Sequence, residues 1–210
     1  MVDISAVRAQ STKSEVDEII SAAKQYNFVC VFGLNSFAPY IAEQLKDYPE
    51  IAVGGVVGFP SGGETTAAKC FQAEEMLKCG CTEIDMVLNV GKLKSSMYSD
   101  VASDIVAVRK VVSVPMKVIL EAPLLEENEL IEASKIILDS GADFVKTGTG
   151  WSGATTLRHV EVIANTVGGK IKIKVAGGVR DIETVEAMRK MGVSRFGIGY
   201  SSALKIIESL

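Results

Sequence analysis

The chain has 210 residues, enough for one large domain or two small ones, and its 48% hydrophobic and 23% charged residues are ordinary for a globular protein. Its net charge of -4 provides no basic surface for nucleic acid, so we expect no nucleic-acid partner. No basic segment precedes an apolar one at the N-terminus, and no apolar run reaches the roughly 18 residues of a membrane span. We therefore expect a cytoplasmic protein without a membrane partner.

Short apolar runs bounded by Gly, Pro or Asn alternate along the chain with longer segments of helical period. VDIS at Val2 is a candidate strand that is too short to assign from periodicity alone. Seven further runs are predicted strands: FVCVFGL from Phe28, IAVGGVVGF from Ile51, EIDMVLNV from Glu83, MKVILEA from Met116, DFVKTG from Asp143, IKIKVAGG from Ile171 and SRFGIG from Ser194.

The segments between these runs are predicted helices. Examples are Glu64 to Lys78, Ser96 to Lys110, Glu126 to Asp139, Thr155 to Thr166 and Ile182 to Lys190. Ser14 is a predicted helix start before EVDEII. Gly80, Gly141 and Gly192 lie just past predicted helix ends, where glycine adopts a left-handed cap at little cost.

Strands that alternate with helices indicate parallel βαβ units. About eight such repeats, without a linker between them, favour an α/β fold with a single closed (β/α)₈ barrel, the TIM barrel, over an open sheet. We expect this barrel to occupy residues 1–210 as one domain. The chain is shorter than the roughly 250 residues typical of the fold, so its loops must be short.

The four cysteines are predicted to be reduced and structural. Cys30 lies in an apolar run, and Cys70, Cys79 and Cys81 lie in or just after a predicted helix without the CxxC spacing of a zinc site. The single histidine, His159, is predicted on a helix surface far from the strand ends. The chain thus lacks the residues for histidine-based catalysis and for a set of metal ligands, so we expect no metal site.

Charged residues inside predicted strands are the strongest functional signal, because a purely structural barrel would have Val or Ile there. Alternation in EIDMVLNV places Asp85 on the face opposite Ile84 and Met86, so Asp85 should point into the barrel. In IKIKVAGG the same alternation places Lys172 and Lys174 on one face. Lys174 is nearer to the C-terminal end of its strand, where barrel enzymes carry their catalytic residues.

Buried charges are costly unless they are paired or neutralised. For Lys172 we expect a structural ion pair with Glu83 or Glu121, because Lys172 lies below the catalytic layer. Catalysis is the favoured explanation for the three charged residues at or near strand ends, which are Lys146, Lys174 and Asp85.

Two neighbouring lysines suggest amine chemistry on a carbonyl group. An exposed lysine has a pKa near 10.4, so only about one in 2,500 is the neutral amine at pH 7, whereas burial and a second ammonium group lower the pKa. The activated amine would condense with an aldehyde or ketone to an iminium ion, which is an electron sink. Asp85, directly or through a water molecule, is placed to relay a proton at the neighbouring carbon.

The stretch FVKTGTGWSG also offers a different interpretation, because Gly148, Gly150 and Gly153 have the GxGxxG spacing of a nicotinamide- or flavin-binding loop. Such a fingerprint should open the first βαβ unit and be followed about 20 residues later by an acidic residue. This loop opens a later unit, and the lysines of GGKIKIK stand where the acid should be. The sequence therefore favours Lys146 as the functional residue of the stretch.

Five blocks carry a resemblance to a known family: GFPSGGETTAAK from Gly58, EIDMVLNVGKLKS from Glu83, MKVILEA from Met116, GADFVKTGTG from Gly141 and KVAGGVRDIETVEAM from Lys174. With these blocks, over roughly residues 50 to 200, the chain resembles the deoxyribose-phosphate aldolases, class I (Schiff-base) aldolases with the (β/α)₈ fold. The resemblance implies that Lys146 forms the Schiff base, Lys174 lowers its pKa, and Asp85 shuttles protons with Lys174. It also places VDIS as the first strand, with Asp3 at the aspartate of the family.

The reaction implied by this resemblance is reversible cleavage of 2-deoxy-D-ribose 5-phosphate to D-glyceraldehyde 3-phosphate and acetaldehyde. No metal or organic cofactor is needed, because the iminium ion supplies the electron sink. Backbone amides after the last two strands are expected to bind the phosphate of this small sugar, and Arg180 would add charge-assisted hydrogen bonds. The predicted substrate-binding residues are Thr149, Gly150, Gly177, Gly178, Arg180, Gly197 and Gly199. The alternative for these glycines is that they only form tight turns.

The sequence departs from the family pattern in three loops. Gly148 replaces the serine of a KTSTG-type loop, and DISAV from Asp3 replaces DHTLL. After the last strand, Gly199 and Tyr200 stand where serines bind phosphate in the family, and Ser201 and Ser202 follow two residues late. These changes keep open a Schiff-base aldolase for a different aldehyde or ketose, or a barrel that kept its lysines without catalysis.

Two further expectations concern surfaces. Trp151 stands where the family often has Phe or Lys, and it is expected either to line the pocket or to contribute to an interface. Oligomeric state cannot be derived from the sequence, and a homodimer is the default expectation because dimers are the commonest assemblies.

Overall fold

A computed structural model describes residues 1–208 of the chain. Eight parallel strands form a closed barrel in chain order, in which the first strand pairs with the last. The strands are β1 (Val2–Ala6), β2 (Cys30–Gly33), β3 (Ala52–Val57), β4 (Glu83–Val87), β5 (Met116–Ile119), β6 (Phe144–Lys146), β7 (Lys172–Ala176) and β8 (Val193–Gly199). The predicted (β/α)₈ barrel is confirmed, including VDIS as its first strand.

Helices follow the strands and cover the outside of the barrel. They are α1 (Lys13–Tyr26), α2 (Ala38–Leu45), α3 (Thr66–Lys78), α4 (Val90–Lys94), α5 (Tyr98–Val111), α6 (Glu127–Asp139), α7 (Leu157–Val167), α8 (Ile182–Lys190) and α9 (Tyr200–Glu208). Short 3₁₀ turns lie at Asn35–Phe37 and Ala122–Leu124. None of the helices within residues 1–208 is long and apolar enough to cross a membrane.

The helix boundaries agree with the sequence prediction to within two residues. At the first helix the predicted start, Ser14, comes two residues after the observed N-cap, Thr12, and the helix begins at Lys13. The Thr12 hydroxyl accepts from the backbone N–H of Glu15 while the Glu15 carboxylate accepts from that of Thr12, which makes a capping box. Gly80 and Gly192 have φ of 91° and 96°, as expected for glycines past helix ends.

Alternation along the strands separates two environments. Ile84 and Met86 of β4 point outward and belong to the large apolar core between strands and helices. The barrel interior has a small apolar cluster of Cys30, Phe32 and Val56 on the side of β2 and β3. Buried charged side chains also lie in the interior, and this part of the barrel positions the candidate site.

Candidate active site

Asp85 lies at the centre of a group of three lysines inside the barrel and is completely buried. Its Oδ2 accepts hydrogen bonds from Nζ of Lys146 and of Lys174, each at 2.7 Å. Its Oδ1 lies 3.0 Å from Nζ of Lys117. The strand register explains the grouping, because Asp85 is paired with Lys117 across β4 and β5, and Lys146 with Lys174 across β6 and β7. The three predicted catalytic residues are therefore brought together.

Lys146 is the lysine of this group that faces an open cavity. Its side chain is 10% exposed, whereas those of Lys117 and Lys174 are 0% and 1% exposed. The pKa of Lys146 is lowered from 10.5 to about 8, mainly by burial and also by the ammonium groups of Lys174 and Lys117, while Asp85 opposes the change. Lys146 is thus the accessible lysine that most readily becomes a neutral amine.

Lys117 is a central residue that the sequence prediction missed. It is completely buried, and its Nζ donates to Glu83 Oε2 at 2.5 Å in addition to contacting Asp85. Burial alone would lower the pKa of Lys117, but the carboxylates of Asp85 and Glu83 raise it above its ordinary value. Alternation in MKVI, with Met116 and Val118 pointing outward, was the signal that could have found it.

The three lysines pull the pKa of Asp85 in the opposite direction from burial. Burial would raise the pKa of this carboxyl group, but the nearby charges of Lys117, Lys146 and Lys174 hold it well below its usual range. Asp85 is therefore ionised throughout the neutral pH range. A carboxylate that contacts the candidate nucleophile and a second lysine through one oxygen can pass a proton between them.

Below Lys174, two more charged side chains extend the group. Asp3 Oδ2 lies 2.7 Å from Nζ of Lys174, and Asp3 Oδ1 accepts from Nε of Arg195 at 2.5 Å. Nη2 of Arg195 donates to Glu83 at 2.9 Å and 3.1 Å. Asp3 was assigned to the first strand by resemblance, but Arg195 and its pairing with Glu83 were not predicted from the sequence.

The expected ion pair of Lys172 with Glu83 or Glu121 is wrong. Lys172 is exposed at the N-terminal end of β7, with its Nζ 5.3 Å from the ring centroid of Phe144. A register shift between β7 and β8 lies just after it, at Ile173. Because the lower end of the barrel opens to solvent, Lys172 does not need a buried partner.

The ring of Phe32 lies against the lysine group and lines the same cavity as Lys146 and Lys174. The centroid of its ring lies 4.3 Å from Nζ of Lys174 and 5.7 Å from Nζ of Lys146. An aromatic face attracts cations while excluding water from the barrel interior. Gly54 leaves room for this ring, because a Cβ at position 54 would lie 2.2 Å from a Phe32 ring carbon.

A cavity of about 840 Å³ opens above Lys146 and Lys174 at the C-terminal ends of the strands. This is the end of the barrel on which barrel enzymes carry their active sites. All of the predicted substrate-binding residues line it, namely Thr149, Gly150, Gly177, Gly178, Arg180, Gly197 and Gly199. The cavity also has two cationic side chains that the sequence prediction missed, Arg8 and Lys205.

The loop after Lys146 is fixed by Glu121, which lies at the end of the neighbouring strand. Glu121 Oε1 accepts from the backbone N–H of Thr149 at 2.8 Å, and its Oε2 accepts from the Thr149 hydroxyl at 2.6 Å. A Cβ at Gly148 would lie 2.9 Å from Glu121 Oε1. Gly148 therefore gives Glu121 the space to hold the loop, which is a structural reason for the glycine at this position.

The loops after β6 and β7 pack backbone to backbone. Gly150 and Gly177 have φ of 81° and 91°, and a Cβ at Gly177 would lie 3.2 Å from Cα of Gly150 and 3.0 Å from the carbonyl oxygen of Gly153. Glycine is required here for close approach as well as for φ. Gly199, in contrast, faces open space, since apart from its chain neighbours no atom of residues 1–208 lies within 4 Å of a Cβ built there.

Ser201 and Ser202, which follow the last strand two residues later than in the family pattern, are brought to the same cavity. They lie in the first turn of α9, which begins at Tyr200 directly after β8. The N-terminal turn of a helix presents unpaired backbone N–H groups that favour anions. The altered sequence thus still places hydroxyl groups beside the end of β8.

The family profile described as DeoC/LacD family aldolase matches residues 3–208. The chain belongs to the DeoC/LacD aldolase family. A deoxyribose-phosphate aldolase of Sinorhizobium medicae (strain WSM419) is 43% identical over 210 residues, which are 99% of this chain and 85% of the relative.

Two solved structures extend this family assignment to the fold. A protein from Coccidioides immitis superposes with a TM-score of 0.94 at 30% identity, covering 99% of this chain and 83% of that one. A tetrameric deoxyribose phosphate aldolase from Aeropyrum pernix superposes with a TM-score of 0.89 at 26% identity, covering 99% and 88%.

The GxGxxG spacing has a structural explanation in this DeoC/LacD aldolase. Gly148 makes room for Glu121, Gly150 packs against the next loop, and Gly153 has φ of 130° beside Pro123. The following helix begins only at Leu157, so the glycines do not form the N-terminal turn that would hold a pyrophosphate. The dinucleotide-binding alternative has no support in this geometry.

The cysteines and the histidine of the aldolase lie outside the lysine group. All four cysteines are unpaired, as predicted. Cys30 is buried in the barrel, and burial raises the pKa of its thiol well above the ordinary value. His159 caps α7, where its Nδ1 accepts from the backbone N–H of Thr156 at 3.2 Å.

Proposed function

We propose that this protein is a class I aldolase that cleaves 2-deoxy-D-ribose 5-phosphate reversibly to D-glyceraldehyde 3-phosphate and acetaldehyde, with Lys146 as the Schiff-base residue. The observation that carries the proposal is the position of Lys146, an accessible lysine with a pKa of about 8 beside Asp85 and Lys174. Membership of the family and the names of its relatives support the same reaction.

In the first step, the neutral amine of Lys146 attacks the aldehyde carbon of the open-chain sugar phosphate. The carbonyl oxygen takes up a proton, and loss of water from the carbinolamine gives the protonated imine. Asp85 and Lys174 are the groups that supply and accept these protons, because the Asp85 carboxylate contacts both lysines through one oxygen. No group outside the chain is required for this step.

In the second step, a base removes the proton of the C3 hydroxyl and the C2–C3 bond breaks. The C2–C3 electron pair becomes the C1=C2 double bond and the C=N π pair moves to nitrogen, so D-glyceraldehyde 3-phosphate leaves and an enamine remains on Lys146. Protonation of the enamine at C2 and hydrolysis of the resulting imine release acetaldehyde and restore the amine. We assign the proton transfers at C2 to Asp85 and Lys174, which lie beside Lys146.

The phosphate end of the substrate is proposed to lie against the loops after β7 and β8. Gly177, Gly178, Gly197 and Gly199 would contribute backbone N–H groups, and Arg180 a charged donor. Thr149 and Gly150 would line the passage between this end and Lys146. Ser201 and Ser202 line the same cavity and offer hydroxyl donors.

Trapping with borohydride tests the mechanism directly. Incubation with acetaldehyde and sodium borohydride, followed by digestion and mass spectrometry, should give one reduced ethyl adduct on Lys146. Lys172→Met is a matched control, because Lys172 is exposed and lies at the opposite end of the barrel strands. An adduct on another lysine, or none in the wild type, would contradict the assignment.

A second candidate function is a Schiff-base aldolase for a different aldehyde or ketose, and Tyr200 at the end of β8 is the observation that favours it. Cleavage rates of deoxyribose 5-phosphate and of deoxyribose without the phosphate separate the two functions. Much faster cleavage of the phosphorylated sugar supports the first, and equal rates support the second.

We further propose that the protein acts in the cytoplasm and that residues 1–210 form one domain. The relative from Aeropyrum pernix is described as tetrameric. The homodimer predicted for this chain stays a prediction, to be checked by light scattering.

A further inference from the structure

Six charged side chains inside the barrel form a closed ring in which acidic and basic groups alternate. In order around the ring they are Asp85, Lys174, Asp3, Arg195, Glu83 and Lys117, and each contacts the next at 3.0 Å or less. The three carboxylates balance the three cations. Lys146 is not a member of the ring, and among residues 1–208 its Nζ meets the ring through Oδ2 of Asp85.

Arg195 is the residue that closes this ring at the side away from Lys146. It uses different guanidinium nitrogens to bind carboxylates from two other strands, Asp3 on β1 and Glu83 on β4. The planar guanidinium suits such a bridge because its donors point in fixed directions and it remains charged at every accessible pH. Its two partners are the carboxylates that contact Lys174 and Lys117, so Arg195 reaches both of these lysines through one intermediate residue.

The charge count decides which lysine most easily loses a proton. With every group ionised, the ring and Lys146 together carry four positive and three negative charges in a buried volume. A net buried charge is costly, and release of one proton makes the cluster neutral. Lys174 and Lys117 each contact two carboxylates, whereas Lys146 contacts one and faces the cavity. The proton therefore leaves Lys146.

We infer that Arg195 is a positioning residue for the aldolase reaction, since its positive charge in the closed ring makes Lys146 the lysine of the three that most readily loses its proton. This inference rests on the proposed function, because it presumes that Lys146 is the nucleophile. Arg195 acts through Asp3 and Glu83 and does not meet the reacting carbonyl group.

Two further titratable groups lie close to the ring. The thiol of Cys30 lies beside Asp3 and Glu83, and because burial raises its pKa it carries no charge near neutral pH. The amino group of Met1 lies near Arg195 and Asp3, and partial burial together with the charge of Arg195 lowers its pKa. Neither group contributes an anion that could replace Asp3 or Glu83.

The test is the pH dependence of borohydride-trapped acetaldehyde adduct formation, followed as the rate of mass gain of the intact chain. The acid limb of this profile is the pH range in which the rate rises as Lys146 loses its proton. Arg195→Met removes one positive charge, so the acid limb should move to higher pH by about one unit. Glu83→Gln removes one negative charge, so the limb should move to lower pH by a similar amount. Arg195→Lys retains the charge and should leave the limb at the wild-type pH even if the rate is lower.

The double variant Arg195→Met/Glu83→Gln restores the charge count and should return the limb close to the wild-type pH. A purely structural role of Arg195 would reduce the rate without moving the limb. The inference is overturned if the limb stays in place in both single variants, or if both move it in the same direction.

Folding and the proposed function are controlled separately. Circular dichroism reports whether each variant folds, and if Arg195→Met does not, Glu83→Gln and Asp3→Asn decide the question, because both should move the limb to lower pH. If the wild-type protein forms no adduct, the proposed function itself is contradicted. If the wild-type protein forms the adduct but the acid limb does not move in the variants, only the role of Arg195 is contradicted.

Discussion

Lys146 and Lys174 are register partners on neighbouring strands, and their Nζ atoms donate to the same oxygen, Oδ2 of Asp85, each at 2.7 Å. Two ammonium groups that share one carboxylate oxygen repel each other, and this repulsion disappears when one of them loses a proton. Lys146 is the accessible lysine of the pair, so the proton is lost from the lysine that can meet a carbonyl compound. The arrangement links the pKa of the nucleophile to the path by which its protons travel.

The first prediction concerns pH. The pKa of Lys146 is lowered to about 8, mainly by burial and then by Lys174, so about one Lys146 in ten is neutral at pH 7, against about one in 2,500 for an exposed lysine. The value of kcat/KM for deoxyribose 5-phosphate should therefore rise with pH and level off above about 8. A profile measured between about pH 6 and pH 10 checks this, and activity that still rises steeply near pH 10 would show that Lys146 keeps an ordinary pKa.

The second prediction concerns stability. Because the pKa of Lys146 is about 8 in the folded chain and 10.5 in its ordinary state, the unfolded chain binds more protons between these values. Burying the charged Lys146 thus lowers the free energy of unfolding. This effect is fully present below about pH 8 and disappears as the pH approaches 10.5. Lys146→Met should raise the free energy of unfolding by about 1–3 kcal/mol at pH 7. Urea unfolding at pH 7 and near pH 10 measures the gain, which should shrink at the higher pH.

Lys69 provides the matched control for this prediction. It is another completely buried lysine, but its Nζ donates to Asp104 at 2.6 Å and to the carbonyl oxygen of Val87 at 3.0 Å, away from the barrel interior. Lys69→Met leaves Asp104 buried without its cation, so it should destabilise the fold by about 3–5 kcal/mol. If Lys146→Met destabilised the protein at pH 7 as Lys69→Met does, Lys146 would be a structural ion-pair residue.

The third prediction is that Asp85→Asn abolishes proton transfer between Lys146 and Lys174. The amide cannot pass a proton between Lys146 and Lys174, so turnover should fall by at least about 10²-fold. Loss of a buried carboxylate shared by three lysines should also cost about 3–5 kcal/mol of stability. Steady-state kinetics and urea unfolding measure the two effects.

Asp104→Asn is the control that separates these effects, since it breaks a buried ion pair between α3 and α5 rather than in the barrel. It should lose comparable stability and keep the trapped adduct on Lys146 at a temperature where it is folded. Turnover of Asp85→Asn equal to that of Asp104→Asn would show that Asp85 acts only on stability.

Seven of the eight strands could be predicted because each leaves a local signal of apolar alternation between helix-period segments. VDIS was too short for this signal and was placed as the first strand by resemblance; the pairing of β1 with both β2 and β8 in the closed barrel confirms it. Lys146, Lys174 and Asp85 were accessible to sequence reasoning for a related reason, since charges inside apolar strands are conspicuous and the C-terminal ends of barrel strands converge.

The errors and omissions lie where pairing between distant strands decides the outcome. Lys172 and Lys174 alternate in the same way in the sequence, yet one is exposed and the other is 1% exposed, because β7 begins at Lys172 at the open end of the barrel. Arg195 was missed because its two partners, Asp3 and Glu83, are distant from it in the sequence. Such contacts follow from the barrel register, which local periodicity does not contain.

The fourth prediction concerns Trp151, the only tryptophan of the chain, which lines the cavity. Its Nε1 donates to the carbonyl oxygen of Val7 at 3.2 Å, and its ring meets that of Phe59 edge to face at a centroid distance of 5.9 Å. This pair forms one apolar side of the cavity, which Arg180 also lines. Substrate bound at Lys146 would be covered on that side by the indole ring.

Trp151→Ala should therefore raise KM for deoxyribose 5-phosphate by about tenfold with a smaller change in kcat, because an aromatic contact contributes about 0.5–1.5 kcal/mol beyond its buried area. Trp151→Phe keeps the edge-to-face contact with Phe59 and loses only the hydrogen bond to Val7, so KM should rise by about threefold or less. Titration of the non-reacting Lys146→Met variant with the substrate should change its tryptophan fluorescence, which has a single source. An unchanged KM in Trp151→Ala together with constant fluorescence would show that the bound substrate does not contact Trp151.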